Sequence, residues 1–200
     1  MNYLDCRINV IEQKINKASR FLKEYSHKKI SFNAPIDLAK LIEIENYYEI
    51  EFPAEYRAFI TIIGNGGSGP DSGLLSLEDS LLCRYAAREK KPLNKDFLKI
   101  PFTHTSTYNP SDDPYILELG KRCDRGEIPQ SECDAVYDHL TAGTLTISIE
   151  GCGYHSRLVI TGATRGQVWF DGDAGDAGYI HLNLSFFDWY EKWLDDNFKW

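Results

Sequence analysis

Three short stretches in the second half of the chain constrain its fold more than any other feature. They are GTLTISIE (143–150), SRLVITG (156–162) and GQVWFD (166–171). Each is rich in the β-branched and aromatic residues that favour strands, and short glycine-bearing segments join them. Because parallel neighbours require a long crossover, these connections predict antiparallel strands. Apolar and hydroxyl side chains alternate from Thr144 to Ile149, which predicts that one face of the first strand is buried.

Helical patterns lie on both sides of these strands. Apolar residues recur every three or four positions from Tyr3 to Tyr25, which predicts a long amphipathic helix. Two further helices are expected, over 36–48 and after Pro53, and the segment SFFDWYEKWLDDNF predicts a terminal helix capped by Ser185. Helices first, antiparallel strands next and a final helix indicate an α+β fold, a mainly antiparallel sheet with helices packed around it.

The remaining segments have weaker patterns. We interpret residues 1–200 as a single domain, with an N-terminal helix extension over 1–30 and a loop-rich variable insert over 78–139. Within this domain GLLSL (73–77) and FLKIPFT (97–103) are expected to form short strands. The segment LEDSLLCRYAAREKK is expected to be helical.

The stretch GNGGSGP (64–70) matches the letters of a phosphate-binding glycine loop. Such a loop holds phosphate because a helix begins directly after it and points its N-terminal amides at the anion. Here a helix precedes the glycines, an extended segment follows them, and no Lys-Ser or Lys-Thr pair comes next. We therefore interpret the stretch as a turn in which at least two of residues 65–69 take positive φ.

Composition restricts the class of protein. No apolar run is long enough for a membrane span and the first residues form no apolar signal region, so a cytoplasmic protein is expected. Without a CxxC pair, a structural zinc site is not expected. The cysteines are odd in number and irregularly spaced, which favours reduced thiols over a disulfide framework. They are Cys6, Cys83, Cys123, Cys133 and Cys152.

Acidic residues outnumber basic ones by 30 to 22, and the excess is concentrated in two segments. Residues 106–139 contain eight acidic and three basic residues, and residues 171–200 contain seven and two, so each segment has a net charge of −5. Such segments would repel nucleic acid and attract a basic protein partner. The alternative is that this charge serves solubility alone.

Short motifs of glycine, proline and aromatic residues follow one another along the chain. They comprise a proline-x-glutamate-tyrosine helix, glycine turns, a Gly-x-Val-Trp strand and a final Phe-x-x-Trp helix. The residues are Pro53, Glu55, Tyr56, Asn65 to Pro70, Gly151 to Gly153, Thr161, Gly162, Gly166, Val168, Trp169, Phe186 and Trp189. Together they resemble the SUKH superfamily, which includes fungal cell-wall-synthesis regulators of the Smi/Knr type and many bacterial proteins. The matched segments cover 40–77 and 140–196.

The resemblance implies an α+β domain without catalytic residues or a cofactor. Bacterial members are linked to polymorphic toxin systems, where they act as immunity proteins that bind a cognate toxin. The resemblance therefore implies a non-catalytic protein that neutralises a toxin by binding it. A nuclease is the expected toxin class, because nucleases present a cationic cleft for phosphates. A regulatory or scaffold module of the same family, without a toxin, is the alternative.

The candidate contacts with such a partner lie where helix and strand patterning is weakest. The acidic residues of 106–139 and 171–178 are in such segments. Helix and strand patterning therefore constrains them least, which leaves them available for contacts with a partner. Charged and aromatic side chains are the types that steer and anchor a protein interface. The candidates are Asp112, Asp113, Asp171, Asp173 and Asp176 for charge contacts, with Tyr108 and Tyr179 as aromatic anchors.

Enzymatic and metal-binding alternatives rest on fewer observations. The aspartates of FDGDAGDAG lack the glycine and glutamate positions of a calcium loop, which leaves a magnesium site as the alternative to an exposed acidic loop. Cys152 and His155 suggest a thiol–imidazole pair, yet the glycine-flanked Cys152 fits a packed turn better. A zinc set would have to come from His104, Cys123, Cys133 and His139, whose spacing matches no known pattern.

Overall fold

A computed structural model describes residues 2–25, 29–82 and 92–198 of the protein. The predicted α+β class is confirmed, because these residues form seven helices and one four-stranded antiparallel sheet. The helices are α1 (Tyr3–Tyr25), α2 (Leu38–Tyr48), α3 (Ala54–Ile62), α4 (Leu77–Ser80), α5 (Pro114–Asp124), α6 (Gln130–Thr141) and α7 (Phe186–Asn197). The strands are β1 (Thr144–Gly151), β2 (Tyr154–Val159), β3 (Gln167–Asp171) and β4 (Tyr179–Ser185), adjacent in that order.

Side chains at the helix starts set where the helices begin. The Asp37 carboxylate accepts hydrogen bonds from the amides of Ala39 and Lys40, so α2 begins at Leu38, two residues later than the periodicity predicts. The Ser185 hydroxyl accepts from the amide of Asp188 in the first turn of α7, which confirms the predicted cap.

Helix α1 belongs to the main core. Ile8, Ile11 and Ala18 are buried, and the helix packs against α3 and α7. The Arg7 guanidinium donates to a Glu191 carboxylate oxygen at 2.8 Å, which adds an ion pair between α1 and α7. The predicted N-terminal extension is therefore an integral layer of the domain.

Both faces of the sheet are buried. One face packs on the helices through residues such as Leu145 and Leu158, which have no exposed surface. Thr144 and Thr146 lie on the other face and are only 1% and 2% exposed. Phe102 belongs to the apolar cluster on that side. The predicted burial of the apolar face of β1 is confirmed, and part of the variable insert covers the second face as well.

The variable insert contains regular structure that the sequence patterns did not predict. At the start of α5, Asp113 accepts from the amides of Tyr115 and Ile116, and Pro114 occupies the first helical position. A short 3-10 turn, Pro110–Asp112, precedes this helix. The insert thus forms a helical hairpin, α5 followed by α6, attached to the sheet side of the domain.

Neither GLLSL nor FLKIPFT forms a strand. Leu74 makes isolated bridges to Gly67 and Ser148, and the extension ends because Ser76 caps α4. Residues 94–100 form hydrogen-bonded turns, and Phe102 alone bridges to the sheet side. Strand β4 was not predicted, and the expected helix after Leu77 is observed only as α4, since residues 83–91 lie outside the described part of the chain.

The glycine stretch is a turn, as predicted. Gly66 and Gly67 have φ of 87° and 130°, conformations that side chains rarely adopt. Backbone atoms also crowd Gly67: a Cβ built there would lie 2.4 Å from the Ser31 carbonyl oxygen and 2.6 Å from the Phe32 Cα. The turn therefore requires glycine at this position for two reasons, dihedral angle and space.

We expect Gly67→Ala to destabilise the protein by more than about 1 kcal/mol, because the left-handed dihedral cost and a backbone clash act together. The matched control is Gly126→Ala. Gly126 also has positive φ, at 66°, but nothing lies within 4 Å of a Cβ built there. Urea denaturation of the two variants measures the difference. Equal losses of stability would show that the backbone contacts around Gly67 add no cost to that of its dihedral angle.

The tryptophans of α7 share the face that packs on the core, as predicted. Trp189 is 7% exposed, and Trp193 is half-buried against Tyr190, with ring centroids 5.2 Å apart. Removing a buried aromatic side chain loses its transfer free energy and leaves a cavity. Partial exposure reduces both losses, so the two positions should differ in cost.

We expect Trp189→Ala to lower the free energy of unfolding by about 3–5 kcal/mol and Trp193→Ala to lower it by less. Lys192→Ala is the control on the same helix. Lys192 is exposed and pairs with Asp196 at the surface, so its replacement should change the free energy of unfolding by no more than about 0.5 kcal/mol. Thermal or chemical denaturation of the three variants measures their losses of stability. The prediction is contradicted if Trp189→Ala lowers the free energy of unfolding no more than Lys192→Ala does.

Candidate functional site

The two acidic segments meet at one place on the molecule. Tyr108 and Tyr179 form an antiparallel bridge in which each amide donates to the other residue's carbonyl, at 2.9 and 2.7 Å. Next to this bridge, the Asn109 amide group donates to the Asp176 carbonyl oxygen at 2.8 Å. The Ser111 hydroxyl approaches the Asp176 carboxylate at 3.4 Å. Residues 106–113 and 171–178 are thus held side by side.

We call the result the acidic surface and define it by Asp112, Asp113, Asp173 and Asp176 with Tyr108. Asp112 and Asp176 are exposed, whereas the other three side chains are half-buried. Among the residues that the structure describes, no cation forms an ion pair with any of these four carboxylates. The acidic surface therefore presents carboxylates to solvent that no described cation pairs with directly.

Titration behaviour agrees with a concentrated negative potential. Burial raises the pKa of Asp173, the carboxylates of Asp171 and Asp176 raise it further, and Arg157 opposes the change. The pKa of Tyr108 is also raised, first by burial and then by the Asp113 carboxylate, which accepts a hydrogen bond from the Tyr108 hydroxyl at 3.1 Å. A cation that approaches this surface would relieve these like-charge interactions.

Local structure fixes the individual side chains. Asp113 has two roles, since it caps α5 and also accepts from Tyr108. Asp176 is in the left-handed conformation with φ of 60° at the end of the 3-10 turn Asp173–Gly175. Asp112 forms no described side-chain bond. Asp112 and Asp176 can therefore be changed to asparagine with less structural consequence than Asp113.

Two predicted contact residues lie beneath the surface, so the prediction that they contact a partner is wrong. Asp171 is 5% exposed and accepts from the Arg157 guanidinium at 2.6 Å. Tyr179 is 3% exposed and its ring is stacked on that of His104. Strand pairing turns both side chains inward, towards the covered face of the sheet. They support the acidic surface and are not part of it.

One exposed aromatic residue was missed. Tyr115 is 68% exposed in the first turn of α5, directly after the acidic pair at 112–113, and Leu117 nearby is 43% exposed. An exposed tyrosine beside a charged surface has the character of an interface anchor. The signal was present in the sequence, because Asp113 and Pro114 mark a helix start that places Tyr115 early in the first turn.

A buried polar layer lies under the acidic surface. His155 is 4% exposed, and its Nδ1 atom is 3.8 Å from an Asp171 carboxylate oxygen. Neither ring nitrogen forms a hydrogen bond with a described residue. Burial lowers the pKa of His155 to about 4; Arg157 acts in the same direction and Asp171 opposes them. His155 is therefore neutral at physiological pH.

The structure does not assemble the suggested thiol–imidazole pair. Cys152 is exposed in the turn between β1 and β2 with φ of 51°, so the expectation of a packed turn is wrong at this residue. His155 faces the buried polar layer and forms no hydrogen bond to the Cys152 thiol. A base that activates a nucleophile must reach it by a hydrogen bond, and this geometry does not provide one.

The expectation of reduced thiols is wrong for two cysteines. Cys123 and Cys133 form a disulfide, with Cα atoms 6.2 Å apart, because the hairpin brings the end of α5 against the start of α6. Cys6 and Cys152 are free and exposed, and Cys83 lies outside the described residues. A disulfide removes both thiolates from the suggested zinc set. In the described ranges no three metal-ligating side chains converge on one point.

Comparison with known proteins adds no family assignment. No protein-family model matches the chain, and searches of curated proteins and of solved structures gave no significant match. Of the helices in the described residues, none combines the length and apolar character needed to cross a bilayer. The resemblance to the SUKH superfamily therefore rests on the sequence motifs and stays a prediction.

The buried His155 predicts a specific loss of stability in acid. An unfolded chain takes up this proton near pH 6.5, and the folded protein takes it up only near pH 4. The contribution of His155 to stability is therefore fully present above pH 6.5. It is lost as the pH falls from 6.5 to 4, by up to about 3 kcal/mol.

Urea denaturation of wild type and His155→Gln across that interval tests this expectation. Glutamine does not titrate, so the free energy of unfolding of the variant should fall less steeply between pH 6.5 and 4. His139→Gln, which changes an exposed histidine, is the matched control and should retain the wild-type slope. Identical slopes for all three proteins would contradict a neutral, buried His155.

Proposed function

We propose that this protein is a non-catalytic binding protein of the immunity type, which neutralises a basic toxin domain through the acidic surface. The observation that carries the proposal is the meeting of two distant acidic segments at the Tyr108–Tyr179 bridge. There, four carboxylates form no ion pair with any described cation. The resemblance to the SUKH superfamily supports the immunity role. We expect the protein to act in the cytoplasm and to leave nucleic acid unbound.

The charge distribution within the chain favours this surface over others. Acidic side chains of α7 are matched by basic ones of α1: Lys14 lies 3.1 Å from Glu191 and 2.6 Å from Asp195. In the insert, Arg125 pairs with Glu118 and Glu127. The bases of α1 thus offset part of the acidic excess of 171–200, and Arg125 pairs with two of the acidic residues of the insert. The carboxylates of the acidic surface remain available to an external partner. Unpaired carboxylates at the surface are expected of a docking site for a cationic cleft.

A toxin that cleaves nucleic acid fits the same chemistry. Its active site must present lysine or arginine to phosphates, and a carboxylate-rich protein surface can occupy those positions. Tyr115, exposed beside Asp112 and Asp113, would supply the desolvated contact that charge pairs alone lack. The pairing of charges would mainly accelerate association and select the partner.

We expect the double variant Asp112→Asn, Asp176→Asn to bind the toxin domain encoded beside this gene at least about tenfold more slowly than wild type at low ionic strength. The difference should shrink as salt shortens the Debye length from about 30 Å at 0.01 M to about 10 Å at 0.1 M. Association rates by surface plasmon resonance and survival of cells that co-express the toxin are the measurements.

The matched control is Glu12→Gln with Glu43→Gln, which removes the same charge from exposed positions on α1 and α2. It should bind and protect like wild type. Two results would remove the acidic surface from the proposal: association that is equal at both ionic strengths, or a double variant that behaves like the control. If wild type binds no such toxin, the regulatory or scaffold alternative replaces the immunity role.

A further inference from the structure

The disulfide lies at the tip of the α5–α6 hairpin, which we define as residues 114–141. Cys123 is in the last turn of α5 and Cys133 is in the first turn of α6. Cys123 is half-buried, whereas Cys133 is 1% exposed. A thiol from solution would therefore reach the Cys123 sulfur more readily than the Cys133 sulfur.

Among the described residues, helix α5 has few attachments outside the hairpin, whereas the end of α6 is held to the sheet side through Leu140. Helix α5 packs mainly against α6 and the 3-10 turn Pro110–Asp112. Among the described side chains of the hairpin, the buried apolar ones are Ile116, Cys133 and Leu140, while Tyr115 and Leu117 are exposed. A segment that buries so little apolar surface opens at a low free-energy cost. The disulfide therefore contributes a large part of the free energy that holds α5 against α6.

We propose that Cys123 and Cys133 are a reversible thiol–disulfide pair whose oxidation state sets how often the α5–α6 hairpin opens. The oxidant is a small-molecule disulfide of the glutathione class. The Cys123 thiolate attacks one sulfur of that disulfide and releases one small thiol. The Cys133 thiolate then attacks the Cys123 sulfur and releases the second. Two protein thiols become one disulfide, one small disulfide becomes two thiols, and the two protons pass to the released thiols.

Reduction follows the same steps in reverse. A small thiolate attacks the half-buried Cys123 sulfur, and the Cys133 thiolate leaves from the first turn of α6. The closed loop is short, with a sequence separation of 10. By the chain-entropy relation, a loop of this size restricts the open state by a factor on the order of 100. Reduction should therefore raise the open fraction of the hairpin by roughly 10- to 100-fold.

The inference does not depend on the proposed function. It would nevertheless reach the acidic surface, because Asp113 caps α5 and also accepts from the Tyr108 hydroxyl. When the hairpin opens, Asp113 loses its hydrogen bonds to the start of α5, and more frequent opening breaks these bonds more often. The redox state of the pair would thereby change how well the surface is organised for any partner.

The first test equilibrates the full chain in glutathione buffers of graded ratio, quenches the exchange with acid, alkylates free thiols and identifies them by peptide mass. Cys123 and Cys133 should become oxidised together in one two-electron transition, whereas the exposed Cys6 and Cys152 remain alkylatable or take up glutathione singly. Cys123→Ser should abolish the transition, and Cys152→Ser, the matched control, should leave it unchanged. A pair that does not form in the most oxidising buffer overturns the proposal.

The second test measures amide hydrogen exchange of the oxidised and reduced protein. Amides of 114–141 should exchange roughly 10- to 100-fold faster after reduction, while those of β2 and β3 keep their protection and act as the internal control. Cys123→Ser should reproduce the reduced pattern in either buffer. Unchanged protection of the hairpin would overturn the proposal, and so would an equal loss in the sheet, because the effect would then be global.

Discussion

The buried ion pair between Arg157 and Asp171 holds together the side of the domain on which the candidate site is built. The two side chains are 3% and 5% exposed, and the guanidinium Nε lies 2.6 Å from the carboxylate. Burial of two charges costs several kcal/mol per ion, which only good geometry and further hydrogen bonds offset. Arg157 also donates to the Thr146 hydroxyl, and the second Asp171 oxygen accepts from the Asp173 amide. The pair thus links three strands to the acidic loop.

The distribution of charge within the fold differs from what a count along the sequence implies. Segment 171–200 has a net charge of −5, yet its helical part is matched by basic residues of α1. The loop aspartates Asp173 and Asp176 form no such pair with any residue that the structure describes. The relevant quantity for recognition is therefore the charge that remains unpaired after folding. By that measure the loop, and not the terminal helix, is the part of this segment suited to a cationic partner.

Local signals were enough to predict most of the fold. Helical periodicity gave α1, the Ser185 cap gave α7, and short glycine connections gave the antiparallel order of β1 to β3. Strand β4 was not predicted, although Ile180, Leu182 and Leu184 alternate within it.

Burial and long-range pairing could not be predicted in the same way. The sequence names Asp171 and Tyr179 only as residues of an acidic loop, and their burial depends on the insert that covers the second face of the sheet. The disulfide is a similar case, since the spacing of Cys123 and Cys133 carries no signal until two helices form a hairpin. The expected exposure is therefore observed where it follows from the loop itself, at Asp112 and Asp176, whose contact with a partner stays a prediction. It is not observed where tertiary structure decides exposure, at Asp171 and Tyr179.

The two layers of the domain differ in what holds them. The helix side of the sheet is closed by large apolar side chains such as Phe59, Phe186 and Tyr190, none more than 1% exposed. The insert side is closed by a smaller apolar cluster around Trp169 and by polar groups, including a neutral histidine. Apolar area is the main source of stability, so the insert should open before the helix side does. The acidic surface and the disulfide both lie on this weaker layer, where a binding partner or a change of redox state can alter the structure without unfolding the core.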